Sequence, residues 1–180
     1  MWKIARQIVR TGIRTEPAPK SGSAADGAPG AAAGDEVERI QRNILAVLGK
    51  ALSIRAVDAG SCNGCELEMH ALNNPCYNVE GLGIRFVASP RHADMLLVTG
   101  PVSRHMEFAL LRTWEATPEP RLVVAIGDCG CDGGVFGCGY ASLGPVSAVL
   151  PVDVAVPGCP PSPTRILQGI LTAVTVAAGR

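Results

Sequence analysis

Aromatic side chains are scarce in this sequence, with two Trp, two Tyr and three Phe among 180 residues. Without rings interleaved with basic residues there is no platform on which nucleobases could stack. Neither sign of charge dominates. Sixteen Lys and Arg balance sixteen Asp and Glu, so the basic excess of a bulk nucleic-acid binder is missing and no nucleic-acid partner is expected. Long apolar runs are also missing. The longest fall short of the roughly 18–20 residues needed to cross a bilayer, so the chain itself is expected not to span one. The first residues lack the apolar stretch and small-residue cleavage site of a secretory leader. A reducing compartment is therefore expected.

What the chain does have is glycine, proline and cysteine, at 21, 14 and 7 residues. An apolar fraction of 47% over 180 residues suits one ordinary globular domain with a real core. In a reducing compartment, clustered cysteines are metal ligands more often than disulfides, and an odd number fits poorly with complete pairing.

Residues 1–14 (MWKIARQIVRTGIR) have the pattern of a short amphipathic helix. Trp2, Ile4, Ile8 and Val9 can share one face, and Lys3, Arg6, Arg10 and Arg14 carry positive charge. Such an arm suits a membrane surface or a partner; a solvated terminal helix or a targeting segment has the same pattern. Residues 15–35, centred on EPAPKSGSAADGAPGAAAG, read as a flexible linker. The remainder, 36–180, reads as a single domain, entered through a helical stretch over 36–51. From residue 54 short apolar runs alternate with helix-like segments. Strands are expected at 54–57, 84–88, 95–98, 122–126 and 152–156. Helices are expected at 65–72, 104–115 and 163–178, the last with Ser162 as N-cap and Pro163 at its first position. The alternation predicts an α/β fold, a mainly parallel sheet with helices on both faces.

In such a sheet ligands bind beyond the carboxyl ends of the strands. The first strand runs into DAGSCNGC, the fourth into GDC and the fifth into PGCPP. Three strands thus each deliver cysteine just past their ends, which brings Cys62, Cys65, Cys129 and Cys159 to one edge. Four soft sulfur ligands suit an iron–sulfur cluster or zinc. The neighbouring glycines let backbone approach such a centre, and Cys65 lies where a helix start would face negative charge. A second close pair, usual in zinc sites, is supplied only by Cys129 with Cys131.

Four segments carry a resemblance: GSCNGCELEM (60–69), SPRHADMLLVTGPV (89–102), IGDCGCDGG (126–134) and PVDVAVPGCPP (151–161). They resemble the small subunit of energy-converting, membrane-bound nickel–iron hydrogenases, including the formate hydrogenlyase type. The cluster subunit of respiratory complex I that faces the quinone site is similar. The resemblance covers about 52–175. It implies a flavodoxin-like fold and one 4Fe-4S cluster held by Cys62, Cys65, Cys129 and Cys159. It also implies a large catalytic subunit, ferredoxin-like iron–sulfur subunits and integral membrane subunits as partners, at the cytoplasmic face of the membrane. The C-x-x-C at 62–65 resembles the hydrogenase branch, since the complex I subunit has adjacent cysteines.

Cys76, Cys131 and Cys138 depart from the family pattern and read as buried or half-buried small residues, with Cys131 in place of Cys129 as the alternative. Glu68, one turn past Cys65, is a candidate proton-relay carboxylate; a solvated or salt-bridged helical glutamate is the plain alternative. Arg91, His92, His70 and His105 read as surface or interface residues. Two rival functions remain open at this point. One is a complex I-like or nickel-free relative of the hydrogenases, and the other is a metal-stabilised assembly scaffold.

Overall fold

The computed structural model describes residues 51–178. The expected arm at 1–14, the linker at 15–35 and nearly all of the helical stretch at 36–51 lie outside the described residues. Five strands form one parallel sheet: β1 (Leu52–Asp58), β2 (Ile84–Phe86), β3 (Met95–Thr99), β4 (Leu122–Ile126) and β5 (Val154–Val156). Their spatial order is β2-β1-β3-β4-β5, the flavodoxin-like winding. The helices are α1 (Gly64–Ala71), α2 (Arg104–Ala116), α3 (Gly127–Asp132) and α4 (Pro163–Ala178).

Burial explains why the central strands read as uninterrupted apolar runs. Every residue of β3 (MLLVT) and β4 (LVVAI) is buried, as expected where helices cover both faces of a parallel sheet. One face packs Leu52, Ile54, Leu97 and Val124 against Met69 and Leu72 of the α1 segment and Ile166 and Ile170 of α4. The other packs Val57, Leu96, Val98 and Val123 against Leu110 of α2, with Val146 and Leu150. Ile166 and Ile170 are fully buried, one turn apart on the α4 stripe, and each contributes about 1.5–3 kcal/mol by leaving water.

The observed bounds differ from the sequence reading at the sheet edges, for a physical reason. β2 ends at Phe86, because past Val87, which donates to the Ile54 carbonyl (2.8 Å), the chain turns towards Pro90. β5 begins at Val154, because Asp153 does the pairing before it. Its amide donates to the Val123 carbonyl (2.9 Å), and its Oδ2 accepts from the Val123 amide (2.8 Å). Asp94 repeats the device ahead of β3: its amide donates to the Ser53 carbonyl (2.7 Å), and its Oδ2 accepts from the Ser53 amide (3.0 Å). An aspartate just before a strand thus adds two rungs to the ladder. The Ser162 carbonyl accepts from the Ile166 amide (3.0 Å), in keeping with its place before Pro163. The segment holding Cys129 and Cys131, which reads as a glycine-rich loop, is the short helix α3.

The ladder register sets up the site. Asp58 pairs with Thr99, Thr99 with Ile126, and Ile126 with Val156. These four residues form one row across the carboxyl end of the sheet. Cys129 and Cys159 each lie three residues beyond their member of that row, and Cys62 lies four beyond.

Candidate metal centre

The loop after β1 is held by its own polar groups. Asp58 Oδ1 accepts from the amides of Gly60 (2.8 Å) and Ser61 (2.7 Å), and Ser61 Oγ accepts from the Asn63 amide (3.1 Å). The Ala59 amide donates to the Thr99 carbonyl (3.0 Å), and the Ser103 amide donates to the Ala59 carbonyl (2.8 Å). Asn63 takes a left-handed conformation (φ 70°) and turns the chain into α1. Cys62 therefore precedes the helix and Cys65 sits in its first turn, where the unpaired amides and the positive end of the dipole favour negative charge. Cys129 lies on α3, and Cys159 follows β5 in an exposed loop.

The four thiols are close enough to feel one another. Burial pushes the Cys65 thiol up to about 12, with Glu66, Cys62, Cys129 and Cys159 adding to the rise. Burial also raises Cys129, followed by Cys159, Cys62 and Asp128. Metal binding requires the thiolate, so a bound cation would act against the rise at Cys65 and Cys129. Among the described residues no three or more His, Cys, Asp or Glu side chains converge on a single ion.

The backbone leaves room for a cluster. Gly127 has φ +84°, and a Cβ there would stand 2.6 Å from Cys65 Sγ. A side chain at that position would be strained and would also fill the space in front of the sulfur. The donor set and this cradle fit a 4Fe-4S cluster.

The remaining cysteines stand apart from this group. Cys131 directs its Sγ back towards the Ala125 carbonyl (3.9 Å), and burial, with Asp128 and Asp132, pushes it up to about 11. Cys76 and Cys138 are exposed. Neither of them, nor Cys131, contributes to the shift of Cys65 or Cys129. His70, Arg91, His92 and His105 are exposed.

Glu68 is half-buried on α1. The carboxylate that turns inwards is Glu66, which sequence reading missed. The Thr99 hydroxyl lies within reach of Glu66 Oε1 and of the Val57 carbonyl. Glu66 Oε2 is buried and accepts no hydrogen bond among the described residues. The available signal was spacing: Glu66 stands three residues before Met69, the buried residue of α1, and residues three apart share a helix face.

The comparisons with known proteins give the family of the chain. Residues 62–173 match the family model described as NADH ubiquinone oxidoreductase, 20 Kd subunit. The chain belongs to this family of oxidoreductase subunits. It is 40% identical over 140 residues to formate hydrogenlyase subunit 7 of Escherichia coli (strain K12), covering 78% of this chain and 55% of that protein. It therefore spans little more than half of that relative's length. It is 42% identical over 142 residues to the probable membrane-bound hydrogenase subunit mbhJ of Pyrococcus furiosus, covering 77% of this chain and 85% of that one. Among solved structures it is similar to a chain of the membrane-bound sulfane sulfur reductase, an archaeal respiratory membrane complex. That match has a TM-score of 0.65 at 30% identity, covering 78% of this chain and 76% of that one.

Proposed function

We propose that the chain is the electron-transfer subunit of a membrane-associated hydrogenase of the formate hydrogenlyase type. It holds one 4Fe-4S cluster on Cys62, Cys65, Cys129 and Cys159 and relays electrons between ferredoxin-like subunits and a large catalytic subunit. The complex sits at the cytoplasmic face of the membrane, attached through its integral membrane subunits. The observation that carries this reading is the gathering of four thiols from three strand ends on one edge of the sheet. Similarity to subunits named for formate hydrogenlyase and membrane-bound hydrogenase supports the choice of complex. Among the described residues no helix is long and apolar enough to cross a membrane, so the attachment is assigned to other subunits and to the arm at 1–14.

When bound, the cluster supplies reversible one-electron transfer. The chain's residues position it and tune it. The four thiolates bind it, Gly127 leaves space before Cys65, and the start of α1 lends its positive end. Shielding falls to a partner. Leu67, Val135, Phe136 and Tyr140 are exposed, Val135 and Tyr140 almost completely, at 98% and 96%. The backbone beneath the last of these is fixed: Arg104 donates to the carbonyls of Tyr140 (2.8 Å) and Gly139 (3.2 Å). Apolar side chains on an anchored loop suit a protein interface better than solvent. Phe136→Asp and Tyr140→Asp should each cost about 2 kcal/mol of association, about 30-fold in affinity, as for buried aromatic anchors. The measurement is co-purification of the large subunit with tagged variants. Undiminished recovery would remove this loop from the interface.

The function is tested by metal and turnover together. The anaerobically purified complex should hold about four iron and about four acid-labile sulfide per copy of this chain beyond those of its other subunits, read as the difference from a complex carrying Cys65→Ala, and it should evolve hydrogen from a low-potential donor. Stoichiometric zinc in place of iron would defeat the proposal. A second reading is a nickel-free relative that reduces something other than protons; the likeness to a chain of a complex named as a sulfane sulfur reductase favours a different substrate. A full complement of clusters with no nickel and no hydrogen would decide for it. The same outcome would cover a quinone-linked, complex I-like enzyme, which added quinone would reveal. Glu68 is proposed as a proton-relay carboxylate of the assembled complex.

A further inference from the structure

One polar link joins two of the thiol-bearing segments directly, the helix α3 and the loop after β5. The Asp128 amide donates to the Gly158 carbonyl (2.9 Å), and Asp128 Oδ1 accepts from the Gly158 amide (2.7 Å). Asp128 immediately precedes Cys129, and Gly158 immediately precedes Cys159. The two residues are 30 apart in sequence, so the pair closes a long loop at the point where the ligands leave the backbone. Below it, β4 and β5 pair only through the row of Ile126 and Val156, and past that row the described ladder ends.

Gly158 can accept this link because of its conformation. Its φ is +141°, and a Cβ there would stand 2.7 Å from the Pro161 Cα. The loop is thus folded back on itself, and its amide points at the Asp128 carboxylate, not along the sheet.

We infer that Asp128 is a positioning residue, whose side chain fixes the spacing of Cys129 and Cys159 by extending the β4–β5 pairing one step past the sheet. The inference rests on the reading of these cysteines as cluster ligands. The main-chain half of the pair survives substitution by alanine or asparagine; the side-chain half does not survive alanine. Asp128→Ala therefore frees the Gly158 amide, whereas Asp128→Asn keeps an acceptor oxygen at the same place. Partners that orient metal ligands typically change metal retention by about 10- to 100-fold when removed.

The test uses the intact complex, purified anaerobically as wild type, Asp128→Ala and Asp128→Asn. Iron release to a chelator is followed by absorbance as the part of the change that is missing from a complex with Cys65→Ala, which separates this cluster from those of the other subunits. Amide hydrogen exchange is followed in peptides spanning 154–162. Asp128→Ala should lose iron about 10- to 100-fold faster than wild type, with faster exchange in that segment. Asp128→Asn should restore both towards wild type. Equal iron retention and equal exchange in Asp128→Ala would overturn the inference, and so would an Asp128→Asn complex as labile as Asp128→Ala. Should Asp128→Ala fail to accumulate, the Asp128→Asn complex decides: wild-type retention and exchange support the clamp, and loss of either overturns it. A wild-type complex whose iron release matches that of Cys65→Ala would instead defeat the cluster assignment, and the exchange comparison would still report on the clamp.

Discussion

A complex assembled with Cys65→Ala should lose the cluster signal of this subunit, and its turnover should fall to that of a complex without an electron relay. Cys65 is the thiol on which the other three converge electrostatically, and it sits in the first turn of α1, facing the space left by Gly127. Alanine leaves an iron without its thiolate at the most enclosed corner of the site. Cys62, Cys129 and Cys159 should follow the same rule, Cys129 as the other half-buried thiol of the four and Cys62 and Cys159 from exposed positions. Cys131→Ala is the decisive control. Its sulfur turns towards the Ala125 carbonyl, so its loss should cost about 1 kcal/mol of stability, the ordinary size for a half-buried substitution, and leave iron content intact. The check is iron and sulfide analysis with low-temperature paramagnetic resonance of the reduced complexes. A full cluster in Cys65→Ala would refute the assignment. Loss in Cys131→Ala with retention in Cys129→Ala would move the third ligand by two residues.

That control matters because sequence alone left the Cys129 and Cys131 choice to family resemblance. GDCGCDGG reads as a loop, since four glycines in eight residues oppose a helix. The short helix α3 forms there through tertiary packing: Gly130 is buried near the Val98 carbonyl, where a Cβ would stand 3.5 Å away. Packing of this kind is invisible in a local window. The helix then separates the two cysteines, one towards the other thiols and one towards the sheet.

Other parts of the fold were legible for identifiable reasons. β3 and β4 are buried on both faces, so their sequences are continuous apolar runs with definite ends. Once the sheet is parallel, the positions of the cysteines after β1, β4 and β5 follow from counting residues past those ends. The edge strands were less legible. At Asp153 and Asp94 a side chain supplies part of the pairing, and no periodic pattern marks such a residue as part of the sheet. The Asp128–Gly158 pair was hidden in the same way, since each residue taken alone is ordinary for a turn. Glu66 was not legible because Glu68 carries the same side chain two positions on but projects from a different side of α1.

That difference of side shapes the second large expected effect. Glu68→Gln should leave the cluster content of the complex unchanged and lower hydrogen evolution by about 10- to 10⁴-fold, the scale of a lost proton-transfer group. Glu68 stands three residues after Cys65, so the two share a helix face, and it keeps partial access to solvent beside the exposed Leu67. In the proposed complex a carboxylate there would lie between the cluster and the partner that covers this edge. Glu66, 200° around an ideal helix by the usual 100° per residue, is instead engaged by Thr99 inside the chain. Glutamine preserves size and hydrogen bonding at either position and removes only the ability to carry a proton. Glu66→Gln should therefore keep its contact with Thr99 and change turnover much less than Glu68→Gln. The measurement is hydrogen production by wild type and both variants, with iron determined on the same preparations. Turnover unaffected by Glu68→Gln, with clusters full, would remove Glu68 from proton delivery and leave the electron relay standing. A collapse in Glu66→Gln alone would place the essential carboxylate on the inner face of α1, against the β3 end, and the proton route would have to be sought there.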